Sequence, residues 1–297
     1  MQKSDHHQWP SNLRFGSKKG WCLHVMTADA WNISYKAAVE GIVLLKNDGT
    51  LPLAKSVRSV ALIGPWMMGG GQVDSSSLKS NKNTIITGKR APAGRLVVTQ
   101  YPAEYATQFP ATDMNLRPLG NNPGQTYMWY TGTPVYEFGH GLFYTTFSAS
   151  LTGTGKNKTS FNIQDLLTQP HPGFANVEQM PFLNFTVKIA NTGKVASDYT
   201  AMLFANTTAG PAPYPNKWLV GFDRLSRLGP HSSKTMTIPV TIDSVARTDE
   251  AGNRVLYPGK YELALNNERS VVLRFGLTGR EAVIFRWPVE EQQISSA

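Results

Sequence analysis

The stretch Phe182-Leu183-Asn184-Phe185-Thr186-Val187-Lys188-Ile189-Ala190, followed by Asn191-Thr192-Gly193, decides how this chain folds. Phe182, Asn184, Thr186 and Lys188 alternate with Leu183, Phe185, Val187 and Ile189, the period of two that a strand with one wet and one dry face needs. Asn191-Thr192-Gly193 supplies a turn, and residues 199–204 read as the next strand. Toward the C-terminus, residues 219–222, 235–242, 259–265 and 271–275 continue the series. Short strands separated by turn signals predict an antiparallel β-sandwich.

Toward the N-terminus the pattern fades. Residues 90–147 are rich in Pro, Gly and aromatics and read as a long irregular segment draped over something larger. Upstream, a helix is predicted from Asp29, with Trp31, Tyr35, Ala38, Ile42 and Leu45 forming one apolar stripe. The apolar run 59–63, stopped by Gly64-Pro65, reads as a strand buried on both faces of a parallel sheet. Only 84–86 offers a further strand, so the α/β layer looks interrupted, with unpaired edges. The chain therefore divides into a patternless 1–27, an incomplete α/β domain over 28–110, an aromatic-rich linking segment over 111–157 and a β-sandwich over 158–295.

Composition excludes several function classes. The net charge of +9 arises from scattered pairs such as Lys18-Lys19 and Lys89-Arg90, without a nucleic-acid fold signature. No apolar run approaches the roughly 20 residues of a membrane-spanning helix, so no membrane partner is read. Cys22 is the single cysteine, and the six histidines show no pair at ligand spacing, so neither a metal nor a cofactor is implied. Four sequons begin at Asn32, Asn157, Asn184 and Asn206 and would be N-glycosylation acceptors in a secreted protein. The first twenty residues lack an apolar signal core, which predicts that this product stays inside the cell although its ancestor was exported.

Longer motifs carry a resemblance. Residues 36–49 (KAAVEGIVLLKNDG) with Leu51-Pro52-Leu53 resemble the start of the second domain of glycoside hydrolase family 3, and Ala61-Leu62-Ile63-Gly64-Pro65 resembles its first sheet strand. Residues 88–96 (GKRAPAGRL) and Thr99-Gln100-Tyr101-Pro102 resemble that domain's exit. Residues 113–118 (DMNLRP), 127–130 (YMWY) and 136–147 (YEFGHGLFYTTF) are similar to fungal β-xylosidases, and residues 191–193 and 217–222 (KWLVGF) to a closing fibronectin type III-like domain. The resemblance implies an extracellular family that removes terminal β-xylosyl residues from xylan, with xylan or xylo-oligosaccharide as the partner. It also implies that the catalytic barrel is missing, and that two internal stretches are lost, after Trp66 and after Asn83, with the general-acid Glu expected among the lost residues.

A retaining glycosidase needs two carboxyls about 5–5.5 Å apart on rigid supports. The carboxylates here read otherwise. Asp198 lies between a turn and a strand and reads as a strand-edge residue. Gln72 and Asp74, after Gly69-Gly70-Gly71, face the substrate region in the resembled family, but Asp74 alone reads as a loop cap. Glu104, Asp113 and Glu137 fall in the irregular segment with turn and surface roles. Tyr127, Trp129 and Tyr130, with Tyr136 and Phe138, offer either a sugar-stacking surface or packing at a domain junction, and packing is favoured because aromatic rings bury large areas there. The reading is thus an inactive fragment; the rivals are a non-catalytic carbohydrate-binding or interaction module, and a hydrolase built from the residues present.

Overall fold

The structure is a computed structural model that describes residues 29–54, 56, 91–153, 159–168 and 176–287. It divides into two units, Met1–Glu40 and Gly41–Ala297. The expected strands at 59–63 and 84–86, the two expected deletions, Gln72, Asp74 and Asn157 lie outside the described residues.

In the first unit the helix α1 runs Ala30–Glu40. It is shorter than the apolar stripe suggests: Gly41 follows it, and glycine is the poorest helix former after proline. Ile42 and Leu45 therefore lie past the helix, while Ile33 and Tyr35 on it are exposed.

In the second unit two one-turn helices, α2 (Tyr105–Gln108) and α3 (Thr126–Trp129), interrupt an otherwise irregular segment. The strands β1 (Phe147–Leu151), β2 (Ser160–Asn162), β3 (Pro181–Asn191) and β4 (Ser197–Thr207) follow, with the short helix α4 (Ile163–Thr168) after β2. Next come β5 (Trp218–Leu228), β6 (Ser233–Thr241), β7 (Arg247–Thr248), β8 (Arg254–Leu256), β9 (Gly259–Leu265), β10 (Val272–Thr278) and β11 (Ala282–Phe285). They form sheets ordered β1-β3-β6, β2-β10-β9-β4-β5 and β11-β8-β7.

The alternation in 182–190 becomes one dry face. Phe185, Val187 and Ile189 of β3 are fully buried, while Asn184 and Lys188 face outward. Met236, Ile238 and Val240 of β6 join them from the same sheet. Across the interface stand Tyr199, Ala201, Leu203 and Ala205 of β4, Tyr261, Leu263 and Leu265 of β9, and Leu273, Phe275 and Leu277 of β10. Val255 and Leu256 of β8 and Ile163 of α4 enter the same cluster. Two sheets with interleaved apolar faces make the predicted sandwich.

Two expectations need correction. The sandwich does not begin at 158: β1 pairs antiparallel with β3, Phe147 opposite Asn191 and Leu151 opposite Val187. The pairing is not wholly antiparallel either, because β2 runs parallel to β10. A strand entering from the far end of a crossover can add to a sheet edge in that direction.

Strand β4 is buried on both faces, which a sandwich strand with one solvent face would not be. The irregular segment covers its outer side. Backbone bonds tie residues 96–100 to 135–140: Leu96 N donates to His140 O (2.8 Å), Gly139 N to Leu96 O (2.7 Å) and Gln100 N to Tyr136 O (2.9 Å). Thr200 Oγ1 on β4 donates to Ala93 O at 2.7 Å. Arg95, 8% exposed, donates from Nη1 to Gly141 O (2.9 Å) and from Nε to Thr200 O (3.3 Å), with its guanidinium over the Phe143 ring. Glycine is required where these chains cross: a Cβ on Gly94 would lie 2.5 Å from Ile42 O, and one on Gly141 2.4 Å from Gly94 O.

Candidate functional site

Tyr127, Tyr130 and Phe138, for which packing is favoured over a sugar-stacking surface, lie against protein. Tyr127 stacks on Phe138 with centroids 4.2 Å apart, and both meet Phe204 of β4 edge-on at 6.0 and 6.2 Å. The Tyr127 hydroxyl accepts the Leu219 amide of β5 at 3.1 Å. Tyr130, 9% exposed, meets Tyr101 and Tyr105 edge-on, and these two stack at 4.0 Å. Trp129 is half-buried, with the Arg117 guanidinium 5.1 Å from its ring. Such offset and edge-on pairs add about 0.5–1.5 kcal/mol each beyond the area they bury. Burial, followed by the charge on the neighbouring Tyr101, pushes the Tyr105 phenol to about 12, and burial raises Tyr130 too, so both stay neutral at ordinary pH.

The carboxylates are engaged separately. Asp198, 7% exposed, takes Arg224 Nη2 (2.7 Å) and Nε (3.1 Å) on one oxygen and the Arg227 amide (2.8 Å) on the other. It is a buried partner on β4 rather than the loose strand-edge residue expected. Glu137 pairs with Lys217 at 3.0 Å, and Lys217 also reaches Asn267 Oδ1. Asp113 closes a turn by accepting the Asn115 amide at 2.9 Å, and Glu104 is exposed at the start of α2.

A general acid needs a carboxyl raised from its ordinary value. The shifts here run the other way. Asp113 is lowered chiefly by the Asn115 amide, Asp48 by the Thr50 hydroxyl and amide, and Asp249 by the Asn253 side chain. Among the described residues no cluster of three His, Cys, Asp or Glu side chains could hold a metal.

Among the grooves of the described surface, two bear on the question. One, of about 430 Å³, is lined by Pro118, Gly120, Asn121, Asn122 and Pro123 and holds no carboxylate. The other, of about 520 Å³, lies across β4, β9 and β10 and holds one, Glu262, between Arg269 and Arg274. This groove escaped the sequence because its residues come from strands far apart in the chain; only the Asn206 sequon marked it.

Similarity to other proteins fits this picture. Residues 199–268 match the fibronectin type III-like domain family. A probable exo-1,4-β-xylosidase of Aspergillus fumigatus is 64% identical over an alignment spanning 92% of this chain and 50% of that protein. The exo-1,4-β-xylosidase of Emericella nidulans is 48% identical over 89% of this chain and 48% of its own. Among solved structures, a GH3 exo-β-xylosidase complexed with a xylobiose aziridine activity-based probe is 48% identical, with a TM-score of 0.77 over 89% of this chain and 50% of that one.

The chain spans about half the length of the relatives it matches. The A. fumigatus alignment runs over 396 positions, whereas 92% of 297 residues fill only about 273, so about 120 positions inside it have no counterpart here. The expected internal losses are of this kind.

Proposed function

The chain belongs to glycoside hydrolase family 3, as a remnant of an α/β sandwich domain followed by a fibronectin type III-like sandwich, and from that premise we propose that it is an inactive fragment of a xylan 1,4-β-xylosidase. One observation carries the reading: about 120 positions inside the stretch matched to the A. fumigatus relative have no counterpart, while the larger groove offers a single carboxylate already held by two arginines. Removal of a terminal xylosyl residue with retention needs one ionised and one protonated carboxyl facing the same bond. Glu262 is ion-paired to both Arg269 and Arg274, and no second acid stands among the residues lining the groove.

In this proposal the intact ancestor acted on xylo-oligosaccharides outside the cell, a reading supported by the four sequons and by the names of the relatives. Tyr127 fastens the 91–146 segment to the sheet through Phe204 and the Leu219 amide, Tyr130 packs inside the segment against Tyr101 and Tyr105, and the half-buried Trp129 is the ring we assign to sugar contact in a complete enzyme. The test is direct. Purified protein incubated with 4-nitrophenyl β-xyloside is expected to release nitrophenol no faster than buffer. Sustained turnover that co-purifies with the chain through two unlike columns overturns the proposal.

A further inference from the structure

The outer face of the five-stranded sheet is covered over only part of its length. Phe204, in register with Ala264 and through it with Val272, lies under Tyr127 and Phe138. Two residues further along β4, Asn206 stands opposite Glu262, which stands opposite Arg274. This row, with Thr208, Lys260 and Gly276, lines the open groove of about 520 Å³. Gly276 keeps its floor low; the nearest atoms a Cβ would meet there are 3.7 and 3.8 Å away.

The groove offers a carboxylate, a guanidinium, an ammonium and a hydroxyl, all suited to sugar hydroxyls and amides. It offers no aromatic platform: Tyr261 and Phe275 in its walls are 2% and 4% exposed and belong to the core. A free saccharide would therefore bind weakly, whereas a tethered one needs little affinity, because a short linkage gives an effective concentration in the millimolar range. The tether is on the page. Asn206-Thr207-Thr208 is a sequon whose first and last residues both line the groove.

We propose that this groove seats the core sugars of an N-linked glycan carried by Asn206 itself. Attachment forms a bond from Asn206 Nδ2 to the anomeric carbon of a lipid-pyrophosphate-linked oligosaccharide. The bond from that carbon to the pyrophosphate oxygen breaks, the lipid pyrophosphate leaves with the electron pair, and one amide proton is released. The second amide hydrogen remains for the bond Asn206 Nδ2 makes to Asn216 O. From this origin the first sugars lie over Glu262 and Arg274. The other described sequons lack such a seat: Asn32 is exposed on α1, and Asn184 is exposed on the outer face of β3 opposite Pro239.

The full chain, expressed in yeast behind a secretory leader, tests this independently of the xylosidase reading and of the natural address. Glycopeptide mass spectrometry is expected to find Asn206 occupied. An endoglycosidase that cuts within the two-sugar core should act at Asn206 roughly tenfold more slowly on folded than on heat-denatured protein, as for a tether near 10 mM on a site with Kd near 1 mM. Arg274→Ala should bring the folded rate to within about threefold of the denatured one. The Arg274 side chain is 73% exposed, so the variant should melt with the parent, which a thermal scan checks. An unoccupied Asn206, equal cleavage of folded and denatured protein, or full protection surviving in an Arg274→Ala, Glu262→Ala double variant each overturns the proposal.

Discussion

The sandwich and the segment 91–146 that covers it are held together by different means. In the sandwich, stability comes from a repeated local device: every second residue of β3, β4, β6, β9 and β10 enters one apolar cluster. In the segment it comes from single anchors. These are the Arg95 guanidinium, glycine crossings at 94 and 141, the short ladder between 96–100 and 135–140, and the Tyr127–Phe138 stack on Phe204. A repeated device tolerates loss of one member in proportion to the area lost, whereas an anchor, once removed, releases a whole stretch. The covering segment should therefore open on its own, below the free energy of global unfolding.

The largest expected effect lies in the sandwich. Phe185→Ala removes a fully buried ring and should cost about 3–5 kcal/mol, read from urea denaturation. Equal cost from Phe138→Ala, a half-buried ring of the segment, would erase the proposed distinction.

Next comes Gly141→Ala, whose Cβ must displace the Gly94 carbonyl. A cost of about 1–3 kcal/mol is expected, the range for a strained backbone position. Hydrogen exchange gives the sharper reading: the amides of Leu96, Gln100 and Gly139 should exchange faster while those of Val187 and Leu203 stay protected. Uniform acceleration would mean that the two regions form one cooperative unit.

Alkaline titration reaches the core through its phenols. Burial pushes Tyr199 and Tyr261 to about 12, above the ordinary value of 10. The folded state thus favours the neutral phenol; the associated stability is complete below pH 10 and is lost as pH rises toward 12. Each tyrosine should steepen the fall by roughly 1.4 kcal/mol per pH unit within that window. A Tm that stays level from pH 9 to 12 would contradict this.

The smallest effect is expected at the rim. Lys217→Ala breaks the pairing with the half-exposed Glu137, and such pairs contribute about 0.2–1 kcal/mol, so its Tm should stay within a few degrees of the parent's.

The same contrast explains what could be read from the sequence. Residues 182–190 announce β3 because their neighbours along the chain carry the whole signal. β1 was also legible in principle: Phe147, Ala149 and Leu151 alternate with two serines. The run is only five residues long and its first member also closes the 136–147 motif, so its period does not stand out. β7 and β8, of two and three residues, are too short to show any period. Arg95 could not be placed from sequence, since its acceptors are carbonyls 46 and 105 residues away. Asp198 reads as a strand-edge residue because nothing in Ser197-Asp198-Tyr199 reveals that Arg224 returns beside it on β5. The groove was hidden for the same reason, its row being assembled from positions 206, 262 and 274.

The reach of Arg95 to the Thr200 carbonyl also sets an order of events at the ribosome. The guanidinium emerges 105 residues before its acceptor, and that acceptor is fixed only when β4 lies between β9 and β5. Synthesis from Arg95 through the end of β9 at Leu265 takes roughly 10–30 seconds at about 5–20 residues per second, and for that time Tyr127, Phe138 and Arg95 wait unsatisfied. Those seconds are the interval in which a nascent chain would engage a chaperone or stick to its neighbours.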